Sequence, residues 1–192
     1  MKTKIITFIA ALTFSASAGA DDIRPLFSFG YDAGGERLGT VFFNDGTKEN
    51  VDANEGLHVA GGFAIPLMNA LSLQTTIGFQ TGGSTGDNGE MTWLSFPWET
   101  TLAAHLGNIM IGGGTIYHFS PQFNTDGALR DLGDYRFDDS LGYQAQIAWS
   151  SSPNAFTGSR YHIGLRYTAI EFERQGAKIN GDSTGVFVKY LF

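Results

Sequence analysis

Two side chains in this sequence stand at a spacing that could build a nucleophile: His118 and Ser120, in the triplet His118-Phe119-Ser120. On an extended chain residues i and i+2 share a face, so the imidazole could take the hydroxyl proton. A triad also needs an acid to orient the imidazole. Asp126, Asp131, Asp134, Asp138 and Asp139 follow, with Asp126 the first of them. Ester hydrolysis by His118, Ser120 and Asp126 is therefore one candidate chemistry. A second set is electrostatic. Glu99, Arg160, Arg166 and Lys189 fall on the polar face of alternating segments, together with His162, Gln74, Gln80, Gln144 and Gln146. A buried charge left alone is costly, so Glu99 is expected to pair with Arg166, Lys189 or Arg160 in an ion-pair plug. Neither a metal nor a cofactor is expected. His58, His105 and His162 lie on separate segments without ligand spacing, and no D-x-D-x-D-G loop occurs for calcium. Gly112-Gly113-Gly114 sits inside an alternating segment with no helix after it, unlike a phosphate loop.

The segments that carry these residues have a hydrophobic period of two, the signature of half-buried strands. Phe27, Phe29 and Tyr31 alternate with Ser28, Gly30 and Asp32. Ile109, Ile111 and Tyr117 oppose Met110, Gly112 and His118, and Tyr161, Ile163 and Leu165 oppose His162, Gly164 and Arg166. The same alternation recurs in eight segments of about ten residues, the length a tilted strand needs to cross a bilayer. The connections alternate in length. Residues 67–70, 105–108 and 150–158 are expected as short turns, and 33–55, 81–90, 121–139 and 171–182 as long loops. The reading is all-β: an eight-stranded antiparallel up-and-down transmembrane barrel, with both termini on the short-turn side. The polar face is rich in Gly, Ser, Thr and Gln rather than Lys and Glu, which suits a packed interior better than a wet surface. Tyr31, Trp93, Trp98, Tyr117, Phe119, Trp149, Tyr161, Tyr190 and Phe192 are expected as interfacial girdles. An eight-stranded interior is filled by side chains, so an open pore is not expected.

Residues 1–20 read as a secretory signal peptide. Lys2 and Lys4 precede an apolar run of about ten residues, and Ala18-Gly19-Ala20 supplies the exit site. Cleavage there leaves residues 21–192 as the barrel domain and takes the net charge from −7 to −9. That charge argues against a nucleic-acid partner. The absence of cysteine excludes a disulfide scaffold and fits passage through an oxidising compartment. Of 192 residues only 16% are charged, while glycine and aromatics are plentiful. The acidic residues concentrate in the long loops, where Leu38, Val41, Phe42 and Phe43 form either a contact element or an extension of the first hairpin.

The last segment, Val186-Phe187-Val188-Lys189-Tyr190-Leu191-Phe192, resembles the C-terminal signature of Gram-negative outer-membrane proteins. In that family the barrel-assembly machinery reads such a strand, which makes Tyr190 and Phe192 the expected assembly signal. The whole mature chain resembles the small outer-membrane barrels, including the outer-membrane protein A transmembrane domain. The resemblance implies an outer-membrane location, long loops outside, lipid and lipopolysaccharide as surroundings, and a monomer. His118-x-Ser120 is similar to the His-x-Ser of the lipid A 3-O-deacylases, themselves eight-stranded barrels. In those enzymes an asparagine follows the serine and a glutamate completes the triad. Here Pro121 follows, and no glutamate stands between Glu99 and Glu171. The leading expectation is a non-enzymatic barrel with a plugged lumen and acidic outer loops as its interaction surface. A lipid A or phospholipid esterase and a narrow solute channel are the alternatives.

Overall fold

The computed structural model describes residues 23–86 and 89–192, and the side chains of Asp131 and Leu132 lie outside the description. The expected signal peptide falls outside the described residues as well. Thirteen strands follow in chain order: β1 Arg24–Gly34, β2 Arg37–Phe42, β3 Lys48–Asp52, β4 Gly56–Met68, β5 Leu71–Gly86, β6 Gly89–Leu106 and β7 Ile109–Asp126. A 3-10 turn over Gly127–Leu132 leads to β8 Tyr135–Arg136, β9 Ser140–Ser150, β10 Arg160–Ala169, β11 Glu171–Arg174, β12 Ala177–Asn180 and β13 Ser183–Leu191. The sheet runs β6-β5-β4-β1-β13-β10-β9-β7, and β6 also pairs with β7. Every pairing is antiparallel, so these eight strands close a barrel without an edge.

The wall is apolar outside and polar inside. Ile77 is 62% exposed and Tyr143 66%, and Phe29, Phe63, Ile111, Ile147, Leu165 and Val186 point the same way. Inward, Ser28, Gln74, Thr76, Thr101, Gln144 and Gln146 are buried. A water-soluble barrel would invert this arrangement.

The long connections differ from their expected form. Residues 81–86 and 89–90 are strand, because β5 reaches Gly86 and β6 starts at Gly89. The 33–55 connection folds into the β2–β3 hairpin, and 171–182 into β11–β12. Likewise β7 runs on to Asp126. The reason is an apolar cluster at this hairpin end of the barrel: Val41, Val51, Met91, Trp93, Phe123, Phe137, Ile170 and Phe172, all buried. Burying each such aromatic contributes about 1.5–3 kcal/mol, enough to hold short hairpins that would not stand alone in water. Trp93, expected in a girdle, is wholly enclosed here. Of Leu38, Val41, Phe42 and Phe43, Val41 is in the cluster, Leu38 and Phe43 pack on it, and Phe42 is exposed.

One irregularity matters for the site. Leu94 faces Gln122 but Phe96 faces Phe119, so Ser120 and Pro121 of β7 stand opposite the single Ser95 of β6. This is a β-bulge, and Ser120 takes the left-handed backbone at φ 40°. Before it the inward residues of β7 are Met110 to His118 at even positions. After it they are Pro121, Phe123 and Thr125.

Candidate functional site

The polar residues of the lumen converge on Arg166. Its partner set is Asp32 on β1 and Glu99 on β6, from opposite sides of the barrel. Nη1 donates to Glu99 Oε1 at 2.5 Å, Nε donates to Asp32 Oδ1 at 3.2 Å, and Nη2 bonds Asp32 Oδ2. His58 Nδ1 lies 3.3 Å from Asp32 Oδ2, and its Nε2 is 3.4 Å from Ser28 Oγ. Gln80 Nε2 donates to Asp32 Oδ2 at 3.3 Å and to the Asn54 carbonyl at 3.0 Å. All of these side chains are buried. A guanidinium holding two carboxylates by several charge-assisted hydrogen bonds is the geometry that offsets desolvation of all three charges.

Glycine makes the room. A Cβ at Gly185 would come within 2.7 Å of the Tyr31 carbonyl oxygen and 2.9 Å of Asp32 Cγ. One at Gly30 would strike the His58 ring. β1 at Gly30, and β13 between β1 and β10 at Gly185, thus leave the pocket into which Asp32 and His58 fit.

Lys189 joins a separate chain of amides. Nζ donates to Gln146 Oε1 at 2.7 Å and to Gln74 Oε1 at 3.2 Å. Gln146 Nε2 donates to Gln144 Oε1 at 2.9 Å, and Gln144 Nε2 to Thr101 Oγ1 at 3.0 Å. Of the three cations expected beside Glu99, then, only Arg166 forms the ion pair. Arg160 faces Leu191 at the turn end of the barrel, far below the Arg166–Gly185 level, so it cannot reach. Asp32 and His58 are the members that sequence reasoning missed. Asp32 shares the inward period of Ser28 and Gly30, but β1 runs further than expected and keeps it inside the wall.

His118 and Ser120 do not come together. The bulge breaks the i, i+2 relation: His118 stays inward while Ser120 turns out. His118 is fully buried, both ring nitrogens lack hydrogen-bond partners, and its ring meets Phe172 edge-on at 5.4 Å. Ser120 instead bonds Asp139, whose Oδ1 accepts from Ser120 N at 2.8 Å and from Oγ at 3.2 Å. Asp139 also accepts from Tyr117 Oη at 3.0 Å. The acid nearest the serine therefore holds the serine and a tyrosine and orients no imidazole. Asp126 caps the Gly127 amide at 2.7 Å, and Asp134 accepts from Thr125 N at 3.0 Å. Among the described residues no imidazole bonds the Ser120 hydroxyl. Among the described residues no three His, Asp or Glu side chains gather as a metal site.

At the turn end, Tyr190 packs between Tyr161, tilted against it, and Phe192, edge-on to it, each 4.6 Å away between ring centres. These rings lie on the outer wall.

No known family matches this chain, and no curated protein does. Solved structures do match. Ail, the attachment invasion locus protein of Yersinia pestis, solved with the heparin analogue sucrose octasulfate, superposes with a TM-score of 0.54 at 12% identity. That match covers 89% of this chain and 99% of Ail. This is the fold of the small eight-stranded outer-membrane barrels. Neisserial surface protein A matches with a TM-score of 0.50 at 11% identity, over 89% of this chain and 97% of the other. Identities this low carry the barrel architecture and no residue role. In this outer-membrane-type barrel the Arg166 cluster and the apolar cluster stand on the chain's own geometry.

Proposed function

We propose that the protein is an integral outer-membrane barrel of a Gram-negative bacterium that performs no catalysis. Its termini and short turns face the periplasm, and its hairpin end faces outward as an interaction surface. The single observation that carries this reading is the outward apolar wall around a lumen filled by Arg166, Asp32 and Glu99. Lipid and lipopolysaccharide are its surroundings, and it acts as a monomer. Tyr190 and Phe192 on the last strand serve the barrel-assembly machinery. Acidic side chains such as Glu49, Glu55, Glu90, Asp126, Asp134 and Glu171 give the outer face its charge.

Hydrogen bonds cross-link that face. Glu36 N donates to the Asn180 carbonyl at 2.6 Å, and Asn54 Nδ2 to the Gly181 carbonyl at 2.9 Å, so the first and last outer connections are tied together. A preorganised surface loses little ordering entropy on binding.

Tryptophan fluorescence in brominated lipid tests the wall. Trp98 and Trp149 should be quenched and Trp93 protected, and strong quenching of Trp93 would overturn the arrangement. Planar-bilayer recording should find no steady conductance. For catalysis, Ser120→Ala should leave the lipid A profile of expressing cells unchanged, whereas loss of a deacylated species would restore the esterase reading.

A further inference from the structure

At the turn end of the lumen, buried donors stand without a partner among the described residues. His162 on β10 is fully buried, its Nδ1 is 2.6 Å from Ser150 Oγ, and its Nε2 has no partner. His105 on β6 repeats the pattern across the lumen: Nε2 is 3.1 Å from Ser72 Oγ, and Nδ1 is buried and unpartnered. The two rings are 5.6 Å apart between centres. Arg160, on the same face of β10 as His162, has a buried Nε without a partner and lies within electrostatic reach of both rings.

Buried polar atoms are as a rule paired, and three at one mouth call for a common acceptor. The charges say which kind. Arg160 makes no ion pair among the described residues. No Asp or Glu occurs in the turns over 67–70, 105–108 and 150–158. The luminal carboxylates are taken by Arg166. Each serine hydroxyl can give its proton to one ring nitrogen, which leaves the other nitrogen as an N–H donor without an acceptor among the described residues. One guanidinium N–H and two imidazole N–H groups gathered at one end of the lumen, with no described carboxylate bonded to them, suit an oxyanion.

We propose that the periplasmic mouth is a binding site for a phosphate-class oxyanion, held by Arg160 Nε, His162 Nε2 and His105 Nδ1. The chemistry is common to free phosphate and to the phosphate of an inner-leaflet phospholipid. Only the second source rests on the membrane reading above.

The test uses the refolded barrel, labelled with nitrogen-15 at histidine, in a maltoside detergent that contains no phosphate. Inorganic phosphate is titrated first, then dihexanoylphosphatidylglycerol, with sodium chloride matching ionic strength. The expected result is a saturable shift of the His105 and His162 ring signals, with affinity weakened about tenfold in Arg160→Gln. Response to both probes supports a site open to the free ion, and response to the lipid alone supports a headgroup site. Response to neither overturns the proposal, as does unchanged affinity in Arg160→Gln. His162→Gln gives a second variant should the first not refold, and native gel mobility reports folding for each. Loss of outer-membrane location with intact phosphate binding would sink the functional reading and leave this site standing.

Discussion

At the hairpin end the inward side chains are Trp93, Phe123, Ile170 and Phe172, while at mid-barrel they are Asp32, Glu99, Arg166 and Lys189. One wall encloses both, so the contrast comes from what lies outside it. Around mid-barrel the outer face is apolar, and lipid offers nothing to gain by moving an aliphatic group inward. The interior is free to hold a satisfied polar network that fixes one arrangement. Around the hairpin end the outer face carries Glu90, Thr92 and Asn124, a surface made for water, and the ordinary drive to bury apolar groups returns. On β6 the apolar parity changes between Leu94, which points out, and Trp93, which points in. On β7 the bulge at Ser120 and Pro121 makes the same change. That level is where the two solvents meet.

The comparison breaks most sharply at Arg166. Arg166→Ala leaves Asp32 and Glu99 buried together without a cation, which should cost about 4 kcal/mol. Urea unfolding of the refolded barrel measures it. The triple change Asp32→Asn, Glu99→Gln and Arg166→Met should recover most of the loss, since it removes the charges together. If the single variant is as stable as the parent, the network is not what orders the middle.

Phe172→Ala attacks the other end. The ring touches Trp93, Phe137 and His118, and its removal should cost about 3 kcal/mol. Amide exchange should then rise in β2, β3, β11 and β12 but not around Arg166. An equal rise at both ends would mean that the lumen is one cooperative unit. Smaller again is Gly185→Ala, which pushes a methyl at the Asp32 carboxylate and should cost about 2 kcal/mol by overpacking.

Much of this was legible before the fold. The period of two set the strands and their faces, because side-chain direction in a strand depends on parity alone. The eight strands and the alternating connections gave the closure. Glu99 beside Arg166 followed from parity plus the need to pair buried charge. What failed did so where parity is interrupted. His118-x-Ser120 was read as one face because a bulge leaves no mark in composition, although Pro121 after Ser120 was a hint. Asp32 was placed at a strand end, since nothing local tells how far β1 runs. The parity change from Leu94 to Trp93 was present in the sequence and could have located the cluster at the hairpin end. The unanswered donors at the mouth could not be read at all, because His105, Arg160 and His162 meet only when the barrel closes.

The smallest effect lies at the tip of the β2–β3 hairpin, outside the wall. Asp45 Oδ1 accepts from Thr47 N at 2.9 Å and from Thr47 Oγ1 at 2.6 Å. These bonds, the hydroxyl first, favour the charged carboxylate and hold it below the ordinary aspartate range. A lowered value in the folded turn means that this contribution is present above the unfolded aspartate pKa, near 4, and is lost as pH falls through the folded one. Acidification from pH 5 toward 3 should therefore lower the protection of the Thr47 amide, measured against its intrinsic exchange rate at each pH, before it lowers that of Val51, which is anchored in the apolar cluster. In Asp45→Ala the Thr47 amide should be unprotected at every pH, with the pH step in its protection gone. A step that survives in that variant would assign the titration to a neighbouring carboxylate, and the hairpin tip would then draw its order from the apolar cluster alone.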